Sequence, residues 1–190
     1  MKIIGLIIIA VFYLIYIGKL LLQKKKGIQT DQIARGKEKN KVFYIELILK
    51  IATYLIVPVE VISIFVSKTF LPQGFVIGGV VLGIVGDIIF ATAVFTMKDS
   101  WRAGIAENDK TEMVTDGIYK ISRNPAFLGF DCVYLGIMLM FFNWVLWIFT
   151  LFAMVMLHLQ ILQEEKYLEQ VFGEEYVNYK SIVCRYIGRK

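Results

Sequence analysis

The chain has 190 residues, a net charge of +5 and a composition that is 57% hydrophobic. Soluble domains are about 45–50% apolar and lack apolar runs of about 20 residues, so an ordinary soluble protein is excluded. The length allows one compact domain. The positive charge lies in loops beside apolar runs, where membrane topology requires it, so we expect no nucleic acid partner. Two cysteines and a single histidine do not provide the ligands of a zinc site, and we expect no metal.

The first apolar run covers residues 3–22 and contains one charge, Lys19. It is followed by Gln23 and three consecutive lysines, and it lacks the small-residue cleavage site of a signal peptide, so it predicts a retained membrane helix. The linker 23–41 that follows carries seven Lys and Arg residues against two acidic ones. The positive-inside rule therefore predicts a cytoplasmic linker and an N-terminus outside.

Two further apolar runs cover residues 42–66 and 74–97. In the first of them, Glu46 and Lys50 are one helical turn apart, which predicts an ion pair. In the second, Gly79 and Gly83 have the spacing of a close helix-packing face. That face can lie within one chain or between chains, so the oligomeric state is left open.

The C-terminal part begins with a long polar loop, 98–125, and continues with an apolar stretch, 126–162, that is long enough for two spans. Asn143 is the natural break, which predicts a helical hairpin. The charged tail 163–190 has the apolar periodicity of an amphipathic helix, divided at Gly173. The hairpin brings the segment before its first helix close to two carboxylates at the end of its second.

These polar segments contain several short motifs whose order and spacing resemble those of a known family. The motifs are Ser100-Trp101-Arg102, residues 113–119, Arg123-Asn124-Pro125, Glu164-Glu165 and residues 172–176. As a set they resemble the isoprenylcysteine carboxyl methyltransferase family, and phospholipid N-methyltransferases share a related pattern. The resemblance covers residues 98–187 and matches the N-terminal half in hydropathy only.

The apolar runs predict an all-α integral membrane protein of about five transmembrane helices, and the resemblance implies a set of site residues. A three-helix membrane region, 1–97, contains the basic cytosolic loop 23–41, and a methyltransferase-like catalytic region, 98–190, forms a cytosolic cofactor site. The cofactor is S-adenosylmethionine, and its expected contacts are Met113, Val114, Gly117, Tyr119, Asn124, Pro125, Glu164 and Glu165. The expected catalytic residues are Arg123, Asn124 and Glu165, and the expected substrate contacts are Trp101, Arg102 and Gln160.

The chemistry of the residues agrees with a methyl-donor site. A carboxylate can pair with the α-ammonium of the donor, and the Tyr119 ring offers a π face to a sulfonium cation. Two positions depart from the family. Asn124 stands where the family usually has His, so it can hydrogen-bond but cannot titrate near neutral pH. Gln160 stands where the family often has Arg, so the charged clamp for a substrate carboxylate is missing.

The leading hypothesis is methyl transfer to a lipophilic or lipidated acceptor that enters from the bilayer, by carboxyl O-methylation. Methylation of a phospholipid amine or a small thiol is an alternative. If the acceptor is an amine, Glu165 or Tyr119 could take its proton. A sterol-type reductase that uses NADPH and a non-catalytic membrane protein are further alternatives. In every case the sequence predicts a multi-pass protein among membrane lipids, with its C-terminus and its site in the cytoplasm.

Overall fold

A computed structural model describes residues 1–35, 38–67, 71–105 and 112–190. Residues 36–37 of the predicted linker, residues 106–111 of the predicted polar loop, and residues 68–70 between the second and third apolar runs lie outside the described residues. The described ranges contain six α-helices: α1 (Lys2–Lys25), α2 (Lys41–Val66), α3 (Gln73–Met97), α4 (Pro125–Met140), α5 (Trp144–Phe172) and α6 (Glu174–Ile182). The predicted all-α fold is confirmed over these residues.

The helix boundaries follow from local residues. The Asn40 side chain accepts a hydrogen bond from the backbone N–H of Phe43 at the start of α2, and Asn143 accepts one from Leu146 at the start of α5. Asn is a favoured N-cap residue because its oxygen satisfies an otherwise unpaired N–H. Gly173, with φ of 55°, separates α5 from α6, as predicted. However, α5 continues past residue 162 to Phe172, so the Glu164-Glu165 pair lies on the hairpin helix itself.

Among the described residues, four helices are long and apolar enough to cross a membrane: α1, α2, α3 and α5. Many of their large apolar side chains are exposed at the protein surface, as expected where lipid replaces water. Helix α4 has 16 residues. At 1.5 Å per residue it is about 24 Å long, which is shorter than the ~30 Å hydrocarbon core. The structure therefore supports a multi-pass membrane protein.

Glycines hold α3 close against α4. A Cβ atom built on Gly79 would lie 2.6 Å from the carbonyl oxygen of Gly136, and one built on Gly86 would lie 2.9 Å from that of Gly129. Such distances leave no room for a side chain, so the two backbones are in direct contact. The predicted packing face of Gly79 and Gly83 is thus confirmed, and its partner is a helix of the same chain.

The ends of α1 and α3 and the starts of α2 and α4 meet at one end of the bundle, called here the loop end. Gln23, fully buried at the end of α1, donates a 3.1 Å hydrogen bond to the carbonyl oxygen of Trp101. It also accepts one of 2.6 Å from the hydroxyl of Thr30. These bonds tie the loop after α1 to the loop after α3.

The Glu46 side chain completes this connection from α2. Its buried carboxylate accepts hydrogen bonds from the backbone N–H groups of Ala34, at 2.7 Å, and Ile105, at 3.2 Å. Lys50, predicted to pair with Glu46, pairs at 2.9 Å with Asp31 instead. The expected pair was wrong because the loop after α1 folds back onto α2 and brings its own carboxylate.

Candidate active site

Three predicted catalytic residues meet in a buried cluster of charges, called here the Glu165 cluster. The Glu165 carboxylate forms a salt bridge with Arg123, whose Nη2 lies 2.9 Å from Oε1. It accepts hydrogen bonds from the Asn124 amide at 3.1 Å and from two nitrogens of Arg185 at 3.1 and 2.9 Å. The side chains of Arg123 and Glu165 are each only 4% exposed. Arg123, Asn124 and Arg185 therefore surround both carboxylate oxygens of Glu165.

Arg185 is the member of the cluster that the sequence did not indicate. It lies 20 residues beyond Glu165, after α6 and outside every motif used above. The tail reaches the cluster because the backbone N–H of Arg123 donates to the carbonyl oxygen of Cys184 at 3.1 Å. The hydrogen bond to Glu165 is the main cause that raises the pKa of Arg185 above its usual value. The sequence signal that could have indicated Arg185 is the cation-rich tail, which follows a helix that carries two adjacent glutamates.

The Asn124 side chain is also bound to the tail. Its amide donates to the carbonyl oxygen of Arg185 at 3.2 Å as well as to Glu165. Asn124 thus occupies the N-cap position of α4 without making a side-chain cap, and Pro125 takes the first helical position. Proline suits that position because its fixed φ is helical and the backbone N–H that it lacks is not needed there.

The turn before α4 is built from Gly117 and Tyr119. Gly117 has a φ of +58°, and a Cβ atom there would lie 3.1 Å from the Thr96 side chain, so both conformation and space favour glycine. Tyr119 is buried, and its carbonyl oxygen accepts a 2.7 Å hydrogen bond from the hydroxyl of Tyr179. Burial is the main cause that raises the pKa of Tyr119 well above the usual tyrosine value. The side chain therefore stays neutral and packed at neutral pH.

A largely apolar hollow, called here the apolar cavity, lies among α1, α2, α4, α5 and the loops of the loop end. It contains about 690 Å³ of space, part of it open to the outside. Tyr54 lines it and is 67% exposed, so the cavity reaches the outer surface of the bundle. Its other lining residues are Tyr13, Tyr16, Ile33, Leu49, Thr53, Trp101, Arg102, Ala103, Gly104, Ala126, Phe127, Phe130, Leu157 and Gln160.

The predicted substrate residues Trp101, Arg102 and Gln160 all line this cavity. Trp101 is buried and packs edge-to-face on Tyr16, with ring centroids 5.6 Å apart. The Arg102 guanidinium donates to the carbonyl oxygens of Asp99, at 2.6 Å, and Trp101, at 2.9 Å. The structure therefore brings these three residues together around one hollow, as expected of a single site.

A groove lined by both apolar and charged side chains, called here the polar groove, adjoins the cavity at the loop end. It consists of two hollows that share Met97, Ser100 and Arg102 among their lining residues. The first is lined by Glu164, Tyr167 and Leu168, and the second by Met113 and Val114. Arg102 and Gly104 also line the apolar cavity. Arg102 is thus common to all three hollows and lies where the groove meets the cavity.

The predicted cofactor residues therefore fall into two sets. Met113, Val114 and Glu164 line the polar groove. The others are packed behind it, in the Glu165 cluster or in the turn before α4, and line neither the groove nor the cavity: Gly117, Tyr119, Asn124, Pro125 and Glu165. In this conformation, the residues of the second set contact other protein residues and line neither the groove nor the cavity.

The fold and the site together define a multi-pass membrane protein that has a polar groove beside an apolar cavity. The model of the isoprenylcysteine carboxyl methyltransferase family matches residues 79–170, which run from the middle of α3 nearly to the end of α5. The chain belongs, over these residues, to the isoprenylcysteine carboxyl methyltransferase family.

Individual relatives agree with this assignment. Protein-S-isoprenylcysteine O-methyltransferase B of Arabidopsis thaliana is 34% identical over 110 residues, which are 55% of this chain and 55% of that protein. Protein-S-isoprenylcysteine O-methyltransferase of Saccharomyces cerevisiae is 31% identical over 110 residues, 55% of this chain and 45% of that protein. An uncharacterized protein of Haemophilus influenzae is 36% identical over 63 residues, 29% of this chain and all of that protein. The chain spans about half the length of the curated methyltransferases that it matches.

Proposed function

We propose that this protein transfers a methyl group from S-adenosylmethionine to the carboxylate of a lipophilic acceptor of the isoprenylcysteine type. The observation that carries the proposal is the position of Arg102, which lines both the polar groove and the apolar cavity. A polar donor and an apolar acceptor bound in these two hollows would meet beside it. The names of the relatives, protein-S-isoprenylcysteine O-methyltransferase, supply the acceptor class.

On the donor side, the groove offers the groups that an amino-acid nucleoside needs. Glu164 supplies a carboxylate for the α-ammonium, and the guanidinium of Arg102 can attract the α-carboxylate. Met113 and Val114 add apolar surface. S-adenosylmethionine, when bound there, supplies a methyl group already activated by its sulfonium charge. The residues present fit this donor, with Glu164 rather than Glu165 as the carboxylate that faces the groove.

On the acceptor side, the apolar cavity fits a long hydrocarbon chain. Its lining comes mostly from Leu, Ile, Ala and aromatic side chains, and it opens to the surface at Tyr54. Neighbours of Tyr54 on α2, Ile51 and Leu55, are also exposed, so the opening lies on an apolar helix surface. We infer that the acceptor enters from the bilayer between α1 and α2, with its reactive end toward Arg102.

The work of the protein is then to position the acceptor and to exclude water. A carboxylate acceptor needs no general base, and the neutral, buried Tyr119 is not available as one. Two reactants held in register gain most of their rate enhancement from orientation and desolvation. The Glu165 cluster contributes by fixing the turn before α4 and the tail. We therefore infer that Arg123, Asn124 and Glu165 are positioning residues.

The membrane arrangement extends the same proposal. We infer that α4 is the fifth span, shorter than the others, and that the loop end faces the cytoplasm. The excess of Lys and Arg in the linker 23–41 supports this orientation. The N-terminus would then lie outside, and the groove would be open to the cytosolic supply of the donor.

Binding of the donor tests the proposal without an acceptor. Calorimetry in detergent should detect S-adenosylmethionine binding, and the donor should raise the Tm as a ligand of the native state does. The Glu164→Gln variant should bind about 10- to 100-fold more weakly, because a charged hydrogen bond is worth about 1.5–3 kcal/mol. Glu175→Gln, an exposed glutamate of α6, is the matched control and should bind normally.

Two results would contradict this assignment. Stabilisation by NADPH and not by S-adenosylmethionine would instead support a reductase. Normal donor affinity in Glu164→Gln would remove Glu164 from the site.

A further inference from the structure

Glu46 is a fully buried acid that lies outside the residues matched by the family model. The matched residues are 79–170, whereas Glu46 lies near the start of α2 and has no exposed surface. Its Oε2 accepts a hydrogen bond from the backbone N–H of Ala34 at 2.7 Å, and its Oε1 accepts one from that of Ile105 at 3.2 Å. The Gln160 amide also donates to Oε1, at 3.4 Å. Three segments that are distant in sequence therefore converge on one carboxylate.

The two backbone donors belong to segments that line the apolar cavity and the polar groove. Every residue of the segment 101–105 lines one hollow or the other, and Arg102 and Gly104 line both. Ile33, which precedes Ala34, lines the apolar cavity. Glu46 has no exposed surface of its own, so it lies behind these walls. It can therefore act on a bound reactant only through the segments that it holds.

The two segments meet in a close and strained contact. Ala34 has a φ of 54°, in the left-handed region that is strained for a residue with a Cβ atom. Gly104 has a φ of 89°, and a Cβ atom there would lie 2.9 Å from the backbone nitrogen of Ile33. Strained backbone persists only where surrounding contacts hold it. The hydrogen bonds that Glu46 accepts from Ala34 and Ile105 supply such contacts on both sides of this approach.

The helices beside Glu46 have an apolar contact of their own. The cluster that joins α2 to α5 includes Leu49, Ala52, Ile56, Ala153 and Leu157. The hydrogen bonds of Glu46 therefore act mainly on the connecting segments.

We propose that Glu46 is a positioning residue for methyl transfer, which holds the segment 101–105 so that Arg102 faces the groove and the cavity at once. This inference rests on the proposed function. It adds a residue of the N-terminal half, outside the matched residues, to the parts of the protein that orient the two reactants.

Replacing the acid by a side chain of similar length tests this role. Glu46→Met loses both acceptor oxygens, and Glu60→Met is the matched control, because Glu60 is equally buried and lies farther along α2. The readout is kcat for N-acetyl-S-farnesylcysteine per donor site, with the sites counted by calorimetric titration with S-adenosylmethionine. Glu46→Met should turn over about 100-fold more slowly per site, because a displacement of about 1 Å can cost that much. Glu60→Met should stay within about twofold of wild type.

Two further measurements do not depend on the folding of Glu46→Met. Glu46→Gln keeps one of the two oxygens, so its turnover per site should lie between the others, about tenfold below wild type. In the wild-type protein, the backbone amides of Ala34 and Ile105 should exchange with deuterium at least about tenfold more slowly than unprotected amides.

Turnover per donor site separates positioning from folding. A merely structural role would lower the number of donor sites and leave the turnover of each site unchanged, and that result would overturn the inference. Equal losses in Glu46→Met and Glu60→Met would also overturn it. Unprotected amides at Ala34 and Ile105 would overturn it even if neither Glu46 variant folds. A wild-type protein that binds the donor and methylates nothing would instead overturn the proposed function, and this inference with it.

Discussion

Arg185 donates two hydrogen bonds, of 3.1 and 2.9 Å, to the carboxylate of Glu165. The pair joins the C-terminal tail to α5, and Arg123 approaches the same carboxylate from the turn before α4. Three segments that are distant in sequence thus depend on one buried acid. The shape of the proposed donor groove rests on this cluster, although Glu165 itself does not line it.

Loss of Glu165 should therefore unfold the region rather than only weaken binding. Glu165→Ala leaves Arg123 buried without its partner, and breaking a buried pair in this way costs about 3–5 kcal/mol. Glu169→Ala is the matched control on the same helix, because Glu169 pairs with Lys180 where both side chains are more than a third exposed. That loss should cost about 0–1 kcal/mol. Thermal unfolding in detergent measures both, and equal small effects would show that the cluster is not structural.

The glycine contact between α3 and α4 gives a second stability test. Gly79→Ala puts a Cβ atom 2.6 Å from the carbonyl oxygen of Gly136, and forcing the helices apart should cost about 1–3 kcal/mol. The neighbouring Gly78 has nothing within 4 Å of its would-be Cβ. Gly78→Ala should therefore be neutral or stabilising by up to about 1 kcal/mol, because alanine favours helix. If both variants unfold at the same temperature, α3 and α4 do not pack as described.

Because Tyr119 is buried, its hydroxyl should contribute no pH dependence to the rate of methyl transfer. Burial raises its pKa, so the hydroxyl stays protonated below the ordinary tyrosine value of about 10. Tyr119→Phe should therefore leave the profile of methyl transfer unchanged from about pH 6 to about pH 9, even if the rate falls by a constant factor. The measurement is the initial rate across that range. A titration step that disappears in the variant would mean that Tyr119 acts as a base.

Filling the apolar cavity should weaken use of the acceptor and leave donor binding unchanged. Ala126 lines the cavity and not the polar groove, so Ala126→Phe should lower kcat/KM for the acceptor about tenfold or more, by analogy with the cost of overpacking a filled site. Affinity for S-adenosylmethionine should not change. Ala10→Phe, on an exposed part of α1, is the control and should leave both unchanged. Loss of donor affinity in Ala126→Phe would place the donor in the cavity instead.

Local signals predicted much of the fold. The apolar runs predicted the long helices, and Asn143 and Gly173 predicted the breaks between helices. The spacing of Gly79 and Gly83 predicted the packing face. Each of these signals acts within a few residues. The partner of Lys50 was missed because Asp31 reaches it through a loop, whose path no local pattern specifies.

The sequence motifs named candidate site residues but did not specify how the structure arranges them. The motifs selected Glu164 and Glu165 as one pair, but adjacent residues on a helix point about 100° apart. One therefore lines the groove and the other is buried among arginines. Tyr119 was expected to offer its ring to the donor, and it is packed in the turn before α4. Burial depends on contacts between distant segments, which composition and spacing do not encode.

The central claim is methyl transfer between the polar groove and the apolar cavity. The most direct measurement uses purified protein in detergent, S-adenosylmethionine labelled on its methyl group, and N-acetyl-S-farnesylcysteine. The account predicts that label appears in the acceptor as a base-labile methyl ester, and that Glu164→Gln transfers it more slowly at a fixed, subsaturating donor concentration. Folded protein that binds the donor and leaves the acceptor unlabelled would contradict it.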